Sequence, residues 1–159
     1  MTLVLLAAAS RAHGTPDNHL VVVVSETRIK MNIVVGDRVL SLADANRNGV
    51  VVLKELQAGR DRLNSWFNDA VVIRSSAGAS PSIAFKDLTT DLVHIEASGH
   101  VDHARFRRTL VFDTAPAAID LNSGGLFDRI PTLQVTVVNT INGERKRLRS
   151  PFQNVTLKL

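Results

Sequence analysis

Asp44, Asn46, Asn48 and Glu55 place oxygen donors at the first, third, fifth and twelfth positions of one twelve-residue run, with Gly49 at the sixth. An EF-hand calcium loop uses this spacing: the ion takes six to eight oxygens, supplied from positions 1, 3, 5, 7, 9 and 12 around a sharp turn at position 6. On that pattern Asp44, Asn46 and Asn48 give side-chain oxygens, Val50 its backbone carbonyl, and Glu55 both carboxylate oxygens to Ca2+. Val51, at position 8, is the apolar anchor. The chain's own residue frequencies make the motif a chance event of roughly 1 in 4,000. The competing interpretation is a loop that keeps the turn and has lost the ion. Only Asp44 and Glu55 are carboxylates, and Val52 at position 9 cannot hold a water through its side chain. The expected affinity is therefore that of extracellular modules, a Kd of about 10⁻⁴ to 10⁻³ M. No second copy of the pattern occurs, so the ion is expected to act as a staple rather than to open a paired hand.

The flanking residues predict how such a loop would be held. His19 to Ser25 is rich in valine, and Arg28 to Val35 alternates Ile29, Met31 and Ile33 against Arg28, Lys30 and Asn32, which predicts an antiparallel hairpin with one buried face. Asp37 to Leu42 reads as a short turn, not a long entering helix. Leu53 to Asp69 is predicted helical, with Leu53, Leu56, Leu63, Trp66 and Phe67 on one apolar stripe and Gly59 weakening the middle by about 1 kcal/mol relative to Ala. From Val71 onward the pattern is β: Val71 to Ser75 and Ser82 to Lys86 about a small-residue turn, Leu92 to Ser98, Arg105 to Asp113, Thr132 to Ile141 and Glu144 to Arg149 about Asn142-Gly143, and Gln153 to Leu159. Strands of this number and spacing predict a mostly β chain, an antiparallel Ig-like β-sandwich with one EF-hand-type loop followed by a helix.

The 159 residues fit one domain, residues 13 to 159, able to bury roughly two-thirds of its unfolded surface. Residues 1 to 12 end in Ser10, Arg11 and Ala12 after an apolar run and read as a shortened secretory signal, with an N-terminal strand as the plainer alternative. Export would place the domain in the periplasm or otherwise outside the cytoplasm. No run approaches the roughly 20 apolar residues of a membrane span. The absence of cysteine excludes disulfides and thiolate metal sites. A net charge of +4 comes with basic clusters at Arg105, Arg107 and Arg108 and at Arg145, Lys146, Arg147 and Arg149. Aromatic residues make up only 4% of the chain, too few to interleave such patches as stacking platforms, so nucleic acid is not the expected partner. Solvated strand faces, or contact with an anionic membrane or protein, account better for these clusters.

With these residues in place the chain resembles the periplasmic N-terminal domain of HupE/UreJ-type hydrogenase/urease accessory proteins. The likeness rests on Ala12-His13 with Asp17-Asn-His-Leu-Val-Val, on Leu42-Ala-Asp-Ala-Asn-Arg-Asn-Gly49 through Glu55-Leu56, and on Arg108-Thr-Leu-Val-Phe-Asp113 with Gly124-Gly-Leu126. Members of that family usually continue into several membrane helices and are implicated in moving or delivering nickel; no such helix occurs within residues 1 to 159, so transport is not implied here. The resemblance does direct attention to His13. After cleavage at Ala12 its amine and imidazole could chelate nickel or copper, completed by His19, His100 or His103, although an N-terminal histidine needs no ligand role.

His100-Val-Asp-His103 is expected in a solvated turn. No nucleophile elbow, phosphate loop or His-Glu-x-x-His motif is present, so a hydrolase on a sandwich scaffold has no candidate residues. The sequence therefore predicts an exported, non-catalytic binding or accessory module stabilised by Ca2+, with periplasmic nickel or copper handling as the alternative.

Overall fold

The computed structural model describes residues 18–76, 79–87, 92–149 and 154–158. The valine run becomes β1 (His19–Ser25), turning into β2 (Arg28–Gly36), and the two pair antiparallel as the alternation predicts. After α1 (Asp37–Leu40) and the loop come α2 (Leu53–Ala58) and α3 (Arg60–Ala70). The remaining elements are β3 (Val72–Ser75), β4 (Ser82–Asp87), β5 (Leu92–Ile95), β6 (Val101–Val111), β7 (Ala118–Asn122), α4 (Gly124–Phe127), β8 (Gln134–Asn139), β9 (Arg145–Arg149) and β10 (Asn154–Lys158).

The chain is mostly β, in two sheets. The larger has the order β4-β6-β2-β1-β8-β9, with β5 also paired to β6, and the smaller the order β10-β7-β3. All pairings are antiparallel except β1 with β8, which is parallel and departs from the all-antiparallel expectation. A parallel neighbour requires a crossover, here the whole chain from β2 to α4. β3 and β4, expected to flank one turn, lie in different sheets.

One apolar cluster joins the even-numbered residues of β1 to β7, β10 and the helices: Leu20, Val22, Val24, Phe106, Leu56, Leu63, Phe67, Leu121 and Leu157 all belong to it. On α3, Trp66 and Phe67 meet Phe106 of the large sheet with ring centroids 6.2 and 5.5 Å apart, a separation at which aromatic pairs attract. The predicted single helix breaks at Gly59, and its apolar stripe begins at Leu56, because Leu53 is exposed. The break has a packing cause beyond propensity. A Cβ on Gly59 would lie 2.6 Å from Ala43 Cβ and 2.7 Å from its Cα, so only glycine lets the helix pair approach the segment entering the loop.

The opposite face of the large sheet has another character. Register aligns Arg105, Val34, His19 and Gln134 in one row; Arg107, Asn32, Val21, Thr136 and Arg147 in the next; and Thr109, Lys30, Val23, Val138 and Arg145 in a third. Strand alternation thus splits both basic clusters. Arg108 turns inward and is buried, donating from Nη1 to Val71 O at 2.9 Å, while Arg105 and Arg107 turn outward.

Candidate functional site

Loop 44–55 lies between α1 and α2, and its two ends are anchored before its oxygens are arranged. At the entrance Ala43 is buried against Gly59, and Arg62 of α3 donates from Nη1 to Leu42 O at 2.8 Å. Arg129, just past α4, donates from Nη1 to Arg38 O at 3.0 Å. At the exit Val51 is buried, its carbonyl accepts from Val101 N–H at 2.8 Å, and Val52 bridges antiparallel to His100. The start of β6 therefore supports the loop at positions 8 and 9.

Between these anchors the donor side chains turn back on their own backbone. Asp44 Oδ1 accepts from Arg47 N–H at 2.7 Å and Oδ2 from Gly49 N–H at 2.8 Å. Asn46 Oδ1 accepts from Asn48 N–H at 2.9 Å, and Asn48 Oδ1 from Val50 N–H at 2.8 Å. Glu55, at the third position of α2, accepts from Val52 N–H through Oε2 at 3.3 Å. Each such oxygen has two lone pairs and uses one of them in these bonds, which leaves acceptor capacity for a hard cation. Gly49 at φ +81° and Arg47 at φ +60° are in the left-handed region that the turn requires. Of the five residues expected from spacing, Asp44, Asn46, Asn48 and Val50 are linked in one closed turn, whereas Glu55 bonds Val52 N–H at the start of α2. Among the described residues no group of three or more His, Cys, Asp or Glu side chains is placed to hold a metal. A cation in the loop would have to draw on amide and carbonyl oxygens beside its two carboxylates.

The histidines fall out differently from the expectation. His13 lies outside the described residues, as does segment 1–12. His100-Val-Asp-His103 is not a solvated turn: His100 bridges to the loop and Val101 opens β6, ahead of the start expected at Arg105. The longer strand forms because Val101 is fully buried and its N–H has a partner in Val51. His100 Nε2 is 3.2 Å from Asp37 Oδ1 and its Nδ1 3.8 Å from Glu96 Oε2, whereas His103 Nδ1 faces Asp102 Oδ2 at 3.1 Å. His19 is on the outer face of β1, with Nε2 2.8 Å from Thr136 Oγ1. Burial first, then Arg145 and Arg147, push its pKa below 6.5.

Two features escape sequence reading. A cleft of about 390 Å³ opens where β8 and β9 meet β10, lined in part by Val137, Asn139, Glu144, Lys146 and Lys158. The second is the outer face of the large sheet, where Arg28, Lys30, Arg145 and Arg147 are exposed and Val21, Val23 and Val138 are half-buried. Alternation within each strand was readable; the order of the strands was not.

No protein-family model matches the chain, and no curated protein matches it.

Proposed function

We propose that the chain is an exported, non-catalytic binding module whose strand-to-helix corner is stapled by one calcium ion in loop 44–55. The observation that carries this reading is the coincidence of motif and anchorage. The Asp44, Asn46, Asn48 and Gly49 part of the pattern sits in a turn closed by its own side-chain oxygens, with Glu55 in the first turn of the helix that follows, and the loop is fastened to buried residues at both ends. Preorganisation of this kind lowers the ordering cost of binding. The same reading takes the two sheets as layers of an Ig-like sandwich, supported by the apolar cluster to which both contribute. Its periplasmic placement and its association with a HupE/UreJ-type system rest on residues 1 to 12 and on the motifs that resemble that family. The further suggestion of nickel or copper chelation by His13, to which the resemblance draws attention, rests on cleavage after Ala12 and on the preference of those ions for nitrogen ligands.

Calorimetric titration with calcium, run beside thermal unfolding, tests the reading. Saturable binding with a Kd of about 10⁻⁴ to 10⁻³ M is expected, and calcium at ten times that Kd should stabilise the fold by about 1.4 kcal/mol. Asp44→Ala and Glu55→Ala should each abolish both effects. Absence of heat and of stabilisation at saturating calcium would reduce the loop to a turn without an ion.

A further inference from the structure

We propose that the outer face of the large sheet docks the chain onto an anionic phospholipid membrane. The proposal names a partner for the binding module inferred above, but none of its residues belongs to loop 44–55.

The first argument is charge. Arg28 and Lys30 on β2, Arg105 on β6, and Arg145 and Arg147 on β9 share this face, and from β6 to β9 no Asp or Glu occupies its three rows; the one acidic residue in register with them is Asp87, beyond β6 on β4. Arg107 faces the same way, stands in register with Asp87 of β4 and has a polar partner of its own, so it is left out of the count. Glu26 and Glu144 are exposed in the turns at one end, and Asp102 sits beside His103 near the other. Cations brought together from three separate strands create a field of one sign that a partner of opposite sign relieves.

The second argument is shape. β9 and β6 are four inter-strand steps apart, which at about 4.8 Å each separates their arginine columns by about 19 Å. An acidic peptide running parallel to the strands could meet only one column or two neighbouring ones, and one crossing them would meet each column at a single point, whereas a bilayer surface covers every column along its length. Between the columns lie Val21, Val23 and Val138 and no aromatic residue; Phe85 of β4, in register with Thr109, stands beyond the β6 column. The single tryptophan, Trp66, packs instead against Phe67 and Phe106. Stacking of nucleobases therefore has no counterpart between the columns, while arginine guanidinium matches lipid phosphate through paired hydrogen bonds.

A third observation is independent of charge. Ile141, 52% exposed, lines one hollow with Ser25 and Arg28 at the rim of this face. Thr140 donates both its N–H and its hydroxyl to Val24 O, at 2.8 and 2.9 Å, which pins the turn that carries Ile141 against the end of β1. A fixed, exposed isoleucine beside a cationic surface suits insertion among lipid headgroups.

The test is cosedimentation of the full chain with vesicles of phosphatidylcholine alone and of phosphatidylcholine with phosphatidylglycerol, with calcium and with chelator. Binding to the anionic vesicles should be at least about tenfold tighter than to the neutral ones and should weaken with salt. Arg145→Glu with Arg147→Glu should reduce it at least about tenfold, and Ile141→Ser should weaken it without changing its salt dependence. Urea midpoints would establish that these variants fold, and Lys30→Glu repeats the test from another strand. Equal binding to neutral vesicles overturns the proposal. So does unchanged binding after charge reversal, which would place the contact elsewhere, as in the apolar residues 1 to 12. Binding of oligo-dT or polyglutamate in preference to vesicles overturns it too. Failure of calcium binding leaves every one of these outcomes readable, because the vesicle contrast does not depend on the ion.

Discussion

Loop 44–55 and the outer face of the large sheet are both collections of polar groups aimed at a charged partner, but they are assembled over different distances along the chain. In the loop, Asp44, Asn46, Asn48 and Glu55 each accept through a side-chain oxygen from a backbone N–H two to five residues away. On the sheet, Arg147 and Arg107 reach the same row only through β8, β1 and β2, by way of a parallel pairing between segments more than a hundred residues apart. The loop therefore has a local conformation to lose, and the sheet face has only a register. Damage to the corner should silence the loop while leaving the face readable as long as the sheet persists.

Gly59 gives the largest expected effect. In Gly59→Ala the new Cβ would stand 2.6 Å from Ala43 Cβ and close to the Ala43 backbone, a site where overpacking costs about 1–3 kcal/mol. Urea unfolding should show a loss toward the upper end of that range. Calcium heat should fall more than vesicle binding measured on the folded fraction. Adding Ala43→Gly removes one of the two colliding atoms and should restore part of the stability. No recovery in the double variant would mean that the backbone contact to Ala43 Cα dominates. Equal loss of calcium and vesicle binding would show that the two regions share one cooperative unit.

The same contrast of distances governs how much of the molecule was legible from its residues. The β1–β2 hairpin and the strands about Asn142-Gly143 are local patterns, and the structure places both where periodicity and turn chemistry predict. β7 was missed because Ala118 to Asn122 is short and follows a Pro- and Ala-rich stretch that reads as loop; its pairing with β3 and β10 makes it a strand. Arg108 was grouped with its neighbours because composition ignores alternation, yet a carbonyl at Val71 lets its guanidinium be buried. His100 was placed in a turn because Gly99 punctuates the sequence there; the bridge to Val52, on a segment nearly fifty residues earlier, has no local signature.

A smaller effect is expected at Gly49, where the loop's conformation can be probed without any collision. An added Cβ meets nothing within 4 Å, so the cost of Gly49→Ala is the backbone at φ +81°, about 1–2 kcal/mol for a residue with a side chain. The strain should appear both as a lower urea midpoint and as weaker calcium binding, with vesicle binding unchanged. Calcium affinity lost without any change in midpoint would instead assign Gly49 a role confined to the ion-bound state.

The smallest effect belongs to the face and separates its two electrostatic causes. His19 is pushed below its ordinary pKa of 6.5 by burial, and secondarily by Arg145 and Arg147. A histidine that resists protonation only when folded contributes its full stability above 6.5, where both states are neutral. As the pH falls below 6.5 the unfolded chain takes up the proton first, and stability is lost until the folded pKa is reached. Urea midpoints should therefore decline as the pH falls through 6.5, and less steeply in His19→Gln, a difference that isolates this residue from the carboxylates. Charge reversal at Arg145 and Arg147 should flatten only part of that difference, because burial is the larger cause. If reversal abolished it, the arginine field would dominate His19; if reversal left it untouched, the arginines would be screened by solvent from the row they flank.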